Sequence, residues 1–227
     1  MLGLQHETDR RWIEAVERDL DSLLVDHAHC ELKAAQSALS LLGRLAVHEG
    51  TSSSEELQDA NAAVSAASES PPQPSSRGLA RETHAVEALT ALAKEEIDHY
   101  HAVQRRIAKR GAPMGLPPTD SYVKELQAAA RVDHRSHPAL LDRILISALI
   151  EARSCERFSL LSDGLASADL RGFYRGLMAS EARHYRLFRD LAEVFYGREA
   201  ARARLDILAK REARVAAALP LEPTVHG

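Results

Sequence analysis

The sequence predicts an all-α protein, a four-helix bundle with additional short helices. Three observations predict it. Apolar residues return at three- and four-residue steps along four stretches, each of more than about 20 residues. No stretch alternates apolar and polar residues as a half-buried strand would. Aromatics are only 4% of the chain, while Ala, Leu, Glu and Arg recur, a composition that favours helix. Of the 227 residues, 45% are apolar and 27% charged. That excludes a disordered or collagen-like chain and fits one domain over 1–227 with a sizeable core.

The first long helix is expected from Asp9 or Trp12 to Ala46 or Glu49, with an inward stripe of Leu20, Leu24, His27, Glu31, Ala34, Ala38, Leu41 and Leu45. A composition shift follows. Residues 51–78 are rich in Ser, Ala and Pro and read as a flexible insertion, with a short helix near Ser54–Ala67. The second long helix covers Leu79–Lys109, with seam Ala85, Leu89, Leu92, Glu96, His99 and Val103, and Gly111 and Pro113 stop it. A proline-rich loop leads to a short helix near Asp120–Arg131. The third long helix opens after His137-Pro138, with seam Leu141, Ile144, Ala148, Glu151, Cys155 and Phe158, and Gly164 breaks it. The fourth begins near Ser167 or Asp169, with seam Tyr174, Leu177, Glu181, His184, Phe188, Leu191 and Phe195, and ends at Gly197. An Arg-rich helix near Glu199–Leu219 and a proline-containing tail complete the C-terminal segment, 198–227.

Each long seam carries a glutamate where an apolar residue belongs: Glu31, Glu96, Glu151 and Glu181. His99 and His184 each follow a seam glutamate by three residues, on the same helix face. With 20 Glu and 11 His in the chain, about one Glu-x-x-His pair is expected by chance, so the spacing alone is weak. The concurrence of both pairs with interior seams is strong. A lone ionised carboxylate in a core costs several kcal/mol, and four together repel. Two divalent cations cancel four negative charges, and the histidines complete the shells. Carboxylate and imidazole suit Fe or Mn, whereas soft thiolate sites suit Zn or Cu(I). This is the ligand set of ferritin-like di-metal carboxylate bundles. Glu96 and Glu181 are expected to bridge the metals, Glu31 and Glu151 to bind terminally. Glu95 offers His99 an alternative partner at four residues. His27, one turn before Glu31, and Cys155, one turn after Glu151, are expected beside the ligands. Cys30 is assigned no role.

Such a centre is compatible with hydroxylation, desaturation, peroxide reduction or iron oxidation. Four stretches narrow the choice. Asp26-His-Ala-His-Cys-Glu31-Leu-Lys-Ala-Ala35, Glu95-Glu-Ile-Asp-His99, Ile146-Ser-Ala-Leu-Ile-Glu-Ala-Arg-Ser-Cys-Glu-Arg-Phe158 and Ser180-Glu-Ala-Arg-His-Tyr185 resemble the MiaE family of tRNA 2-methylthio-N6-isopentenyladenosine hydroxylases. The resemblance covers most of 12–197. It implies a ferritin-like fold, a non-haem di-iron centre held by Glu31, Glu96, His99, Glu151, Glu181 and His184, and O2-dependent hydroxylation of the isopentenyl group in tRNA. The insertion at 51–78 looks longer than the family needs. The alternative is an iron-binding, ferroxidase or peroxide-reducing ferritin-like bundle with no RNA substrate.

Charge bears on the RNA. Arg171–Arg214 holds 11 Lys/Arg against 6 Asp/Glu in a chain of formal charge −4, an asymmetry that suggests phosphate contacts. Arg153, Arg157, Arg183, Arg186 and Arg189 are the expected contacts. No dinucleotide-binding glycine fingerprint occurs, and two cysteines are too few for an iron–sulfur cluster, so a separate reductase or ferredoxin is expected to supply electrons. No secretory signal or stretch of about 18 apolar residues is seen. A cytoplasmic protein, a monomer or small oligomer away from membranes, is the expectation.

Overall fold

The computed structural model describes residues 2–55 and 76–226. Among the described residues there are seven α-helices and no strand: α1 (Trp12–Arg18), α2 (Leu20–Glu55), α3 (Ser76–Lys109), α4 (Ser121–Ala130), α5 (Ala139–Gly164), α6 (Ala168–Tyr196) and α7 (Arg198–Ala218). A 3₁₀ turn, Arg131–Ser136, joins α4 to α5. The short helix expected near Ser54–Ala67, and most of the insertion, lie outside the described residues. Its described edges belong to α2 and α3, so both helices run beyond the limits expected from composition.

Local chemistry explains most boundaries. The first helix is split, against expectation, because Asp19 leaves helical geometry and its carboxylate accepts hydrogen bonds from Ser22 N and Ser22 Oγ, which caps α2. Asp120 caps α4 by accepting from Val123 N, and Ser167 caps α6 by accepting from Leu170 N. Gly111 ends α3 at φ +71°, with its N–H and that of Ala112 returned to the last turn, as a left-handed glycine cap requires.

The bundle is a ring in which α2 packs on α3, α3 on α6, α6 on α5 and α5 on α2. Side-chain registers make every neighbouring pair antiparallel. Arg110, just after α3, meets Asp21 at the start of α2. Arg106 stacks on Phe173 while Glu95 meets His184, so α3 and α6 run oppositely. Cys155 meets Met178 and Arg143 meets Ser40, which sets α5 against α6 and α2. Helices α3 and α5 are therefore diagonal and parallel. The segment between them must return along the bundle, and it does so through α4. One long crossover of this kind is the ferritin-like topology.

The main core is chiefly Leu, Ile and Ala of the four long helices, joined by Tyr122, Leu126 and Ala130 of α4 and Ala201, Leu208 and Ala209 of α7. Helix α7 packs on α4, α5 and α6 and is pinned by charge. Arg204, buried, donates to both oxygens of Asp142 (2.7 and 2.8 Å), to Asp133 (2.8 Å) and to the Ala130 carbonyl, and Arg211 also grips Asp133. Much of the local positive excess is thus spent in structural ion pairs. The tail returns across α1, α2 and α5. Trp12 Nε1 donates to the Glu222 carbonyl, Arg157 donates to the Thr224 carbonyl, and Val225 N donates to Asp26.

Candidate metal centre and its cavity

The four seams converge. Glu31 of α2, Glu96 of α3, Glu151 of α5 and Glu181 of α6 are all buried, as is His184, and the His99 side chain is 12% exposed. Glu31, Glu96, His99 and Glu181 each bring a donor atom within 4.8 Å of the others, and so do Glu96, Glu151 and His184. Glu96 belongs to both groups, as a residue between two cations would. His99 Nδ1 lies 3.3 Å from Glu96 Oε2, and His184 Nδ1 lies 2.9 Å from Glu96 Oε1 and 3.8 Å from Glu151 Oε2.

The electrostatics are those of a cation site. Burial, and then the neighbouring carboxylates, push the Glu31 and Glu181 carboxyls well above the ordinary range. Burial acts the same way on Glu96, but contacts with His184, His99 and Glu31 outweigh it and hold that carboxyl low. His184 resists desolvation because Glu151 and Glu96 hold its proton, which pushes it up to about 11. The 2.9 Å approach of His184 Nδ1 to Glu96 Oε1 is an ion-pair contact without hydrogen-bond geometry, and these two atoms and Glu181 Oε1 are buried with no hydrogen bond. Orphaned lone pairs cost free energy in a core, and a bound cation would satisfy them. Four carboxylates and two imidazoles of this kind fit a pair of iron or manganese ions.

Several neighbours steady the cluster. His27 Nε2 lies 2.7 Å from Glu31 Oε1, and its Nδ1 is 3.3 Å from the Tyr174 hydroxyl, the position expected for it. Burial and the charge of His99 hold His27 at about 3, so it is neutral and donates from one nitrogen only. Glu95 is the residue whose role the spacing left open. It stands outside the cluster, meets His184 Nε2 at 3.2 Å, and accepts from Ser180 and Arg183. A carboxylate behind a metal-binding imidazole fixes the ring and its tautomer. The thiol of Cys155, one turn after Glu151, donates to the Met178 carbonyl, and Cys155 lines no part of the cavity described next.

A cavity of about 510 Å³ opens from the carboxylates between α2 and α5, beneath α4. Glu31, Glu151 and Glu181 stand at one end, and Ala34, Val123, Ile146, Ile150 and Phe188 form apolar walls. The tail adds His226, whose ring stacks on Tyr122 and lies 2.9 Å from Ser154 Oγ. Cys30, given no role from the sequence, faces this wall, with Sγ 3.7 Å from His226 Nδ1.

The arginines divide. Arg153 and Arg157 were expected at the surface and are 1% and 4% exposed. Arg153 donates twice to Glu212 Oε1 (2.9 and 2.7 Å), and to Glu156, Thr8 and the His6 carbonyl. Arg157 lies over the Trp12 ring and holds the tail. A guanidinium so enclosed cannot reach a phosphate. Arg183, Arg186 and Arg189 remain on α6, where Arg183 is paired with Glu95 and Arg189 with Asp190, and none lines the cavity.

This chain is similar to known proteins. A tRNA 2-(methylsulfanyl)-N(6)-isopentenyladenosine(37) hydroxylase of Pseudomonas putida is 34% identical over 197 residues, 87% of this chain and 78% of that protein. One of Salmonella typhimurium with the same description is 32% identical over 202 residues, 82% of this chain and 73% of that protein. A solved structure described as Protein 43 with aldehyde deformylating oxygenase activity, from Synechococcus, superposes with a TM-score of 0.75 at 30% identity, over 99% of this chain and 95% of that one. Residues 2–227 match the family described as tRNA-(MS[2]IO[6]A)-hydroxylase (MiaE), and with the carboxylate–histidine cluster on all four seams, the chain belongs to that family.

Proposed function

We propose that this protein hydroxylates the isopentenyl group of 2-methylthio-N6-isopentenyladenosine in tRNA, at a di-iron centre held by Glu31, Glu96, His99, Glu151, Glu181 and His184. The observation that carries the reading is the opening of the carboxylate–histidine cluster into an apolar-walled cavity. The prenyl group is apolar and branched, and Ala34, Ile146, Ile150 and Phe188 give it a dry wall beside the carboxylates. Two irons would supply the dioxygen chemistry, which side chains alone do not offer. One oxygen atom enters the substrate and the other leaves as water, so two electrons and two protons come from outside. That is the reason for a separate reductase or ferredoxin.

The chain's own residues bind, orient and exclude. Glu95 and Ser180 hold the outer side of the His184 region, and His27 holds Glu31. Tyr174, Phe158 and Phe173 pack around His27 and keep water from that side. An apolar base fits better once it has left the stack, which an unpaired anticodon-loop base does at little cost.

The test is turnover of tRNA bearing the isopentenyl nucleoside by iron-loaded protein, with a reductant and O2, followed by mass spectrometry of the nucleosides. One added oxygen on the prenyl group is expected. Iron bound at two per chain with no oxygen added, or turnover of a fatty aldehyde in its place, would remove the reading.

A further inference from the structure

The cavity has a second end, and its chemistry is opposite to that of the first. Along α5 the lining runs from Glu151 through Ser147 to Arg143, and along α2 from Glu31 through Ala34 and Ser37 to Arg44. Because α2 and α5 are antiparallel, both paths lead the same way. At 1.5 Å per residue they carry the cations about 12 and 20 Å from the carboxylates. Arg131 also lines the cavity, whereas Lys33, two residues from Glu31, lies at the carboxylate end, 3.9 Å from Asp120. Arg44 and Arg143 are exposed, and among the described residues no carboxylate lies within 4 Å of either guanidinium. Arg143 has a weak contact with Ser40 Oγ at 3.4 Å. Desolvation, together with repulsion from Arg44, makes its charge less favourable than usual. Two cations held near each other without an anion contrast with Arg153, Arg204 and Arg211, each satisfied by carboxylates.

Glu31, Glu151 and Glu181 at one end, apolar walls between, and Arg44 and Arg143 at the other form a ruler for a prenylated nucleotide; Asp120 and Asp142 also line the cavity, Asp142 paired with Arg204 and Asp120 near Lys33. The prenyl group would lie inward, the purine along the apolar wall, and the sugar–phosphate outward. We infer that Arg44 and Arg143, with Arg131 beside them, bind the phosphates flanking the modified nucleotide, so that RNA enters over the α2–α5 end of the cavity and not over the exposed arginines of α6. This rests on the proposed substrate and names the surface that receives it.

The experiment is fluorescence anisotropy with a labelled anticodon stem-loop RNA over a salt series, comparing wild type, R44A, R143A, R44A/R143A, and R175E and R186E, both on the exposed face of α6. Each lost phosphate contact lowers the slope of log affinity against log salt by about 1. The double variant should lose about two units of slope and bind the order of tenfold more weakly at ~50 mM salt. R175E and R186E should bind within about twofold of wild type, with circular dichroism of all variants unchanged. Wild-type binding by R44A/R143A, or a loss in R186E larger than theirs, overturns the placement while leaving the substrate reading intact. No RNA binding by wild type overturns both.

Discussion

Arg153 is the side chain on which an RNA role and a structural role make opposite predictions. In Arg153→Met the long stem remains, but Glu212 Oε1 loses two of its three donors and keeps only the Tyr122 hydroxyl at 3.0 Å. Glu212 is 0% exposed, and its other oxygen already lacks a partner, so water cannot replace what is lost. Removing one member of a buried ion pair costs about 3–5 kcal/mol. For a chain of this size, each kcal/mol moves Tm by about 2–4 °C, so a fall of roughly 6–20 °C is expected by differential scanning calorimetry. Arg153→Met/Glu212→Leu removes both charges together and should recover much of that loss, giving a coupling of about 2 kcal/mol in the double-mutant cycle. At a temperature where the variant is fully folded, its RNA affinity should match wild type. A Tm within 2 °C of wild type, or a tenfold loss of RNA binding by a variant of normal Tm, would refute the argument.

Four further outcomes are expected. Glu181→Ala and His184→Ala should lower bound iron from about two per chain to one or fewer with helicity retained, as metal analysis and circular dichroism would show; undiminished iron would exclude these residues as ligands. Ala34→Trp should block the apolar wall and lower kcat/KM by at least tenfold with iron content unchanged, so normal turnover would place the substrate elsewhere. Asp19→Ala should cost about 1 kcal/mol through the lost cap of α2, read from urea denaturation, and no change would mean that another group caps the helix. Burial, assisted by Arg157 and opposed by Asp120, holds His226 at about 4 against an ordinary 6.5. The docked tail therefore contains a neutral ring, and docking is complete above about pH 6.5 and lost as pH falls through about 4. Trp12, the single tryptophan and a partner of the tail, should shift its emission to the red across that window before helicity falls; an emission insensitive to pH, or an identical shift in His226→Ala, would show that the ring does not control docking.

The ring of four long helices and the six converging side chains were legible because helix periodicity is local. A glutamate on an apolar seam signals its own burial within two turns of sequence. Helix boundaries were legible for the same reason near Asp120, Ser167 and Gly197. The break at Asp19 was not, because a capping carboxylate there interrupts an otherwise continuous pattern. The arginines were misread because burial of a cation depends on a distant partner. Nothing near Arg153 announces Glu212, 59 residues away, and nothing near Arg157 announces the Thr224 carbonyl. Composition likewise gave the Arg-rich segment its charge but not the carboxylates that Arg204 and Arg211 reach across the crossover. Cys30, Asp120 and His226, which bring donor atoms together at the cavity wall, come from three segments that no periodicity connects.

The crossover has a consequence for how this scaffold could diversify. Val123 and Gln127 of α4 line the cavity, yet α4 supplies none of the six converging donors. The reactive apparatus and the lid over it are therefore encoded in separate stretches of chain. Exchange of residues 120–130 among relatives would alter which molecules are admitted while the oxidising machinery stays as it is, which makes that short segment the natural target for redirecting the enzyme to other prenylated compounds.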